Sequence, residues 1–472
     1  MRILGLSLLI PGLLGAAALH TALESSAPSD GDSLEAPPTE VRLEYTTDVQ
    51  LDLSRVRVLG PAGEWAVEGL RYLAEDRHDV LVASLPVDQP SGAYRVLWTT
   101  AGPDGHAIHG EFEYEATGSL GIQEAQAPQD SLESEPLDSV ESEAEAPTQG
   151  AQGPEDTASS LPAGDPNAGR GATGARWLFY MGIVAVLGSL SFRYLVLPQV
   201  LRGGELPEVG RGANHRLWRI AGLGVLALLV SAPPRLFYQV RSLYASEDEV
   251  PLSAFFQIAG AGPWGKGWLL GAACALLIGM GVLLARPRGE RAPGWAVMAL
   301  GALFLPLSPV LSGHAWSRSP QVLAAVADFV HVVAAGTWVG GLLCLLFAGL
   351  PALRAHGVKE GSGQPGLPGL VSAFSRVAIA SVALLVLTGS VNTWLHLESF
   401  SQLWTTPWGR ALIAKLAVVA GVLGLGFYNW RFVRPALDET PRAGLLKAPA
   451  TVELGLGIAA LVLTAFLVVR PL

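Results

Sequence analysis

Two separated fragments of this chain carry residue types suited to holding a metal: His20, at the end of an apolar leader, and the tripeptide Asp104-Gly105-His106. Imidazole nitrogen and carboxylate oxygen converging on one site suit Cu(II) or Zn(II). In an extended strand, residues i and i+2 point to one face, so Asp104 and His106 can share a ligand face, with His20 brought from the far end of the same small domain; a bulge or turn at Gly105 would weaken that argument. His109 falls on the opposite face from His106. Taken alone, an Asp-x-His is equally a surface turn, and the surrounding sequence has to decide.

A second set of ionisable residues lies in an apolar background. His314 ends one hydrophobic run, Asp328 and His331 stand at i, i+3 on one face of the next, and His396 ends the run after that. Ionisable groups inside a membrane-spanning segment are costly and tend to mark an interior or a pathway. These four residues are expected at one end of the bundle, where they suit metal handling; the competing reading is that Asp328 simply pairs with Lys415. Glu453 is expected to pair with Arg376 or Arg431. Soft ligands are scattered: Met181, Met280 and Met298, with Cys274 and Cys344, show no spacing that suggests a Cu(I) relay. Both cysteines lie in apolar runs, so no disulfide framework is expected. No phosphate-binding loop points to an ATPase, no Cys-x-x-Cys-His points to c-type haem, and no enzyme site is read.

The elements that must position these residues follow from composition. Of 472 residues half are hydrophobic and 15% charged, too apolar for one soluble domain. Residues 1–19 read as a secretory leader, with Arg2, an apolar core and small residues up to Ala18. A cut after Ala18 leaves His20 second in the mature chain, and a cut after Leu19 leaves it first. Residues 20–117 alternate apolar with polar at Val41–Tyr45, Val56–Val58 and Tyr94–Trp98, with Gly-Pro and Ser-Gly punctuation between, and predict an all-β sandwich. Residues 118–175 are rich in Glu, Ser, Pro, Ala, Gly and Gln and read as a disordered linker. A flexible chain of about 55 residues spans roughly 40 Å, enough for the head to reach the membrane without being rigidly docked.

From 176 to 472 the chain predicts an all-α polytopic bundle of about eight transmembrane helices, near 177–198, 216–237, 264–285, 293–312, 321–350, 371–397, 409–432 and 449–470. With the head exported, the Arg- and Lys-rich loops, such as Arg286 to Arg291 and Arg431 to Lys447, fall inside, in agreement with the positive-inside rule. The net charge of −10 comes largely from the linker, and no basic stripe suggests a nucleic-acid partner.

His20-Thr21-Ala22-Leu23, Ser26-Ala27-Pro28, Gly31 and Leu34, followed by Tyr94–Trp98, Asp104-Gly105-His106 and Gly110-Glu111-Phe112, resemble the CopC copper-binding domain. The resemblance implies a cupredoxin-like or Ig-like sandwich that binds Cu(II) through His20, Asp104 and His106. The head has no methionine, so the Met-rich Cu(I) site of some relatives is missing. The membrane part is similar to the CopD family at Ser312-Gly313-His314-Ala315, Asp328-Phe329-Val330-His331, Trp338-Val339-Gly340-Gly341, Phe374-Ser375-Arg376, Thr388-Gly389, Trp408-Gly409, Lys415 and Glu453. The likeness is good over about 290–470 and loose over the first three helices.

The chain is therefore expected to be a copper-handling protein of the bacterial cytoplasmic membrane, with head and C-terminus on the extracytoplasmic side. Its expected partners are copper ions, the lipid bilayer and other copper-homeostasis proteins. The head captures Cu(II) and passes it to His314, Asp328, His331 and His396 for uptake. Two rival readings are a membrane electron-transfer protein with b-type haem or a quinone, which would reduce copper, and a copper buffer or sensor without transport.

Overall fold

The computed structural model describes residues 21–61, 63–65, 67–87, 89–103, 105, 107–118, 166–201, 207–245, 247, 249–285, 293–313, 320–355, 366–397, 399–433 and 443–467. The expected leader and most of the expected linker lie outside them.

Nine strands form the head: β1 Leu23–Ala27, β2 Ser33–Leu34, β3 Glu40–Tyr45, β4 Arg55–Gly60, β5 Gly63–Trp65, β6 Gly69–Tyr72, β7 Val80–Ser84, β8 Gly92–Ala101 and β9 Ala107–Ala116. They make a four-stranded sheet in the order β1-β3-β7-β6 and a five-stranded sheet in the order β2-β9-β8-β4-β5. The period-2 pattern decides which side chains face inward. Val41, Leu43 and Tyr45 from β3 meet Val56 and Val58 from β4, Tyr94, Val96 and Trp98 from β8, and Phe112 and Tyr114 from β9 in one core. Each such side chain contributes about 1.5–3 kcal/mol on burial. Tyr94 stacks on Tyr114 with ring centroids 5.1 Å apart, and Tyr45 meets Trp98 edge-on at 5.6 Å. Trp98 also explains Gly110, its cross-strand partner: a Cβ there would lie 2.8 Å from the indole Cε2.

Among the described residues, eight helical stretches are long and apolar enough to cross a membrane. The helices are α1 Pro166–Ser191, α2 Pro207–Leu243, α3 Leu252–Gly260, α4 Gly262–Leu284, α5 Gly294–Phe304, α6 Leu307–Leu311, α7 Gln321–Cys344, α8 Leu367–His396, α9 Pro407–Tyr428 and α10 Ala443–Leu467. The fourth crossing, Gly294–Leu311, is built from α5 and α6 around the Leu305-Pro306 break. Helix α1 starts at Pro166, ahead of the expected boundary at 176, and its early glycine Gly171 lies directly against the Tyr238 ring of α2.

Small residues set the helix contacts. Gly182 of α1 packs on Gly224 and Leu228 of α2, so the two helices run antiparallel. Gly188 lies against Gly340, and Ser189 Oγ is 3.8 Å from Cys344 Sγ, so α1 and α7 run parallel with their backbones in close approach. Without a hydrophobic drive between helices in lipid, such small-residue seams are what permits tight van der Waals packing. Single π-helical turns follow α1, α7 and α9 at Phe192–Val196, Leu345–Gly349 and Asn429–Val433.

The head does not hang free, contrary to the expectation from linker length. It rests on the bundle through an apolar contact in which Leu53 and Ala101 of the head meet Val240, Leu243 and Tyr244 of the α2 end, Ala254 and Ile258 of α3, and Trp264 of α4. Polar contacts rim this patch. The Arg55 guanidinium lies 3.4 Å over the Tyr244 ring and its Nε is 3.5 Å from Glu247 Oε1. Gln257 Nε2 donates to the Asp52 carbonyl at 3.1 Å. A cation stacked on an aromatic face and partly shielded from water contributes about 0.5–2 kcal/mol, which adds to the apolar contact in holding a head already tethered by the chain.

Candidate metal centre

Of the residues singled out from sequence, His20, Asp104, His106 and His314 lie outside the described residues, as does the side chain of His396, whose backbone ends α8. Asp328 and His331 are described, both half-buried on one face of α7. At 1.5 Å per residue they lie roughly 10 and 15 Å along the helix from its start at Gln321. That start belongs to the head-facing end of the bundle, since α7 runs parallel to α1, and α1 runs antiparallel to α2, whose C-terminal end carries the head.

Two rungs join α7 to the antiparallel helix α8. Asn392 Nδ2 donates to Asp328 Oδ1 at 2.6 Å, and His331 Nδ1 lies 3.0 Å from Thr388 Oγ1. The spacing matches on both sides: i, i+3 on α7 against i, i+4 on α8. The Thr388 hydroxyl gives its single proton to the Leu384 carbonyl at 2.7 Å, so towards His331 it accepts. His331 is thereby held as the Nδ1–H tautomer, and its Nε2 keeps a lone pair. A histidine oriented through one ring nitrogen with the other bare is the arrangement of a metal-ligating imidazole. Gly389, next along α8, leaves room beside the ring: a Cβ there would stand 3.6 Å from His331 Cε1. Lys415 of α9 lies within electrostatic range of both Asp328 and His331. Asp328 therefore shares its charge between the Asn392 amide and a longer-range attraction to Lys415, where a simple Asp328–Lys415 pair had been the alternative.

Gly105, the residue between Asp104 and His106 in sequence, lies outside both neighbouring strands. Strand β8 ends at Ala101 and β9 begins at Ala107. Between them the Gly105 amide donates to the Gly102 carbonyl at 2.9 Å and Gly105 has φ +78°, a left-handed conformation suited to glycine. A turn at Gly105 weakens the i, i+2 argument for a shared strand face. This turn is also a docking contact. Gln239 Nε2 of α2 donates to the Gly105 carbonyl at 2.7 Å, and a Cβ on Gly105 would lie 2.8 Å from Trp264 Cβ. His109, on β9 opposite Thr99, is exposed.

Among the described residues no three His, Cys, Asp or Glu side chains come together as a metal cluster. What the described bundle offers is one pre-oriented imidazole and, one helical turn nearer the head, one carboxylate. Glu453 sits at the opposite end, where it accepts from Asn429 Nδ2 at 3.1 Å and from the Trp338 indole. It does not pair with Arg376, whose Nε donates to Gln199 Oε1 at 3.1 Å. Thr388 had appeared only as part of a motif, and Asn392 not at all. Their signal was a pair of polar residues four apart inside an apolar run, the same signal that exposed Asp328 and His331.

Three stretches match family models: residues 23–117 the CopC domain, residues 168–320 the copper resistance protein D-like N-terminal domain, and residues 368–467 copper resistance protein D. The likeness thus extends over the first helices, where the motifs had been loose. The chain is 22% identical over 459 residues to copper transport protein CutJ of Bacillus subtilis (strain 168), covering 96% of this chain and 74% of that protein. It is 29% identical over 143 residues to copper resistance protein D of Pseudomonas syringae pv. tomato, covering 29% of this chain and 45% of that protein. Solved structures similar to the head include CopC from Methylosinus trichosporium OB3b, at 27% identity and a TM-score of 0.20 over 21% of this chain and 95% of that one. Another is PcoC, a methionine-rich copper resistance protein from Escherichia coli, at 22% identity and a TM-score of 0.19 over 21% of this chain and 99% of that one. With a CopC domain ahead of both parts of a CopD-type membrane domain on a bundle of eight candidate spans, the chain is a CopC–CopD fusion and a multi-pass membrane member of the copper resistance and copper transport family.

Proposed function

We propose that this protein imports copper across the bacterial cytoplasmic membrane, receiving it on the extracytoplasmic head and passing it directly into the bundle. The head captures Cu(II) through His20, Asp104 and His106, a nitrogen and oxygen donor set suited to that ion. The cargo then moves to His331 and Asp328, with His314 and His396 at the mouth of the same path. The observation that carries this reading is the seating of Gly105 on the bundle, where it is held by Gln239 and covered by Trp264. A head seated on the bundle at the residue between Asp104 and His106 supports direct transfer over storage on a loose tether. Uptake is the favoured direction because the pre-oriented His331 imidazole and Asp328 lie towards the head-facing end.

In this scheme the protein's own groups supply ligands and orientation. Thr388 fixes the His331 tautomer, so Nε2 is presented to the cargo without a prior proton transfer. Asn392 holds Asp328 in place through Oδ1. The test is accumulation of isotopically labelled copper in cells producing the wild type or His331→Ala at equal membrane levels. Wild-type cells should accumulate copper above the vector control and the variant should not. Equal accumulation by the two would refute the path.

A further inference from the structure

Beside the histidine path, α1 and α2 carry two arginines that make no ion pair with a carboxylate among the described residues. Arg176 of α1 and Arg235 of α2 stand at matching levels of the antiparallel pair, between the Gly171–Tyr238 contact nearer the head and the Gly182–Leu228 contact farther from it. Both are half-buried. The Arg176 Nη1 atom is enclosed without a hydrogen-bond partner, and so is the Nε1 atom of Trp177 beside it. The Arg235 guanidinium lies 3.8 Å over the Phe179 ring of α1. The two guanidiniums are within electrostatic range of each other and of the Tyr180 hydroxyl.

Among the described acidic groups of the spanning helices, Glu453 is bonded to Asn429 at the far end and Glu208 to Arg211 at the start of α2. Asp328 is within electrostatic range of the same Tyr180 hydroxyl but also of Lys415, so one carboxylate stands against three cations. Two like charges held together away from water need a counter-charge. Two guanidinium forks within electrostatic range of each other together offer several N–H donors of the kind that recognise a phosphate. Phe179 already covers one face of Arg235, which leaves the edges of both forks as the donors.

We infer that Arg176 and Arg235 together bind one phosphate-type oxyanion between α1 and α2, supplied by a phospholipid headgroup or by free phosphate. Arg235 stands at i−4 from Gln239, on the same face of α2 and one turn deeper, so the bound anion lies beside the contact that holds the head. It also offsets positive charge at the end of the bundle where Lys415 lies near Asp328. The inference stands whether or not the copper-import reading does, because both arginines belong to α1 and α2 and neither is a proposed copper ligand.

The test uses the purified full-length protein in detergent, with equilibrium binding of radiolabelled inorganic phosphate as one arm and native mass spectrometry after addition of phosphatidylglycerol as the other. The expected result is one oxyanion per chain in one of the two arms. In Arg176→Gln/Arg235→Gln that affinity should fall about tenfold or more, and in Arg176→Lys/Arg235→Lys it should be partly retained. Phosphate binding identifies a free ion as the source, and retention of phosphatidylglycerol without phosphate identifies the headgroup. Absence of both from the wild type overturns the inference, an outcome that does not depend on the variants folding. Binding of the same stoichiometry and affinity in the wild type and a monodisperse Gln variant overturns it as well.

Discussion

His331 and Thr388 face each other across α7 and α8 with Nδ1 and Oγ1 3.0 Å apart, and the hydroxyl is already committed as a donor to Leu384. The proton on the imidazole is thereby fixed on the side away from any cargo. Thr388→Val keeps the shape and removes the acceptor, so the tautomer is no longer imposed and the ring is free to rotate. Losing such an outer hydrogen bond typically costs 10–100-fold in metal affinity or activity. Copper accumulation by Thr388→Val should fall by about tenfold, while Thr388→Ser, which restores the hydroxyl, should stay near wild type. A Val variant that transports normally would show that the tautomer does not matter.

Docking of the head can be read out directly. Asp52 and Gln257 meet across the contact, with Gln257 Nε2 3.1 Å from the Asp52 carbonyl, so a short bismaleimide should cross-link Asp52→Cys/Gln257→Cys in the otherwise wild-type chain. The native cysteines, Cys274 and Cys344, are buried and should not compete. Adding Gly105→Ala places a methyl group 2.8 Å from Trp264 Cβ at a residue with φ +78°. The conformational strain alone is about 1–2 kcal/mol. The cross-linking yield should drop with the head still folded, as judged by its thermal unfolding. An unchanged yield would mean that the turn is not a docking contact.

Legibility in the sequence followed from how local each signal is. Strands β3, β4, β8 and β9 announce themselves by period-2 alternation because one face of each is buried, and Tyr94 and Tyr114 are where that pattern requires them. Asp328 and His331 stand out because a charge or an imidazole in an apolar run needs a reason. The same rule applied to Arg176 and Arg235 would have found the cationic pair. The rest depends on contacts between segments distant in sequence. Nothing periodic marks Leu53 or Arg55 as the footing of the head, since they meet Tyr244 about 190 residues away. Strand and turn both stayed open at Gly105, because a single glycine permits a positive φ without requiring it. Glu453 was assigned an arginine on charge alone, whereas at its position the Asn429 amide and the Trp338 indole supply the donors.

The crossing of α1 and α7 at Gly188 and Gly340 gives the last prediction, because it fixes how far these two helices slide past each other. A Cβ on Gly340 would lie 2.7 Å from Gly188 Cα, with backbone rather than a movable side chain in the way. Overpacking of this kind costs about 1–3 kcal/mol, and here the helices must separate to relieve it. Separation moves α7 relative to α1 and would carry Asp328 away from Tyr180, to which it is electrostatically linked. Gly340→Ala should therefore lower both the thermal stability of the purified protein and its copper accumulation. Gly424 on α9 is the control, since nothing lies within 4 Å of a Cβ there. Gly424→Ala should be neutral or stabilising by about 0.4–1 kcal/mol through the lower entropy of its unfolded chain. If both substitutions behave alike, the close approach of α1 and α7 does not hold the site in register.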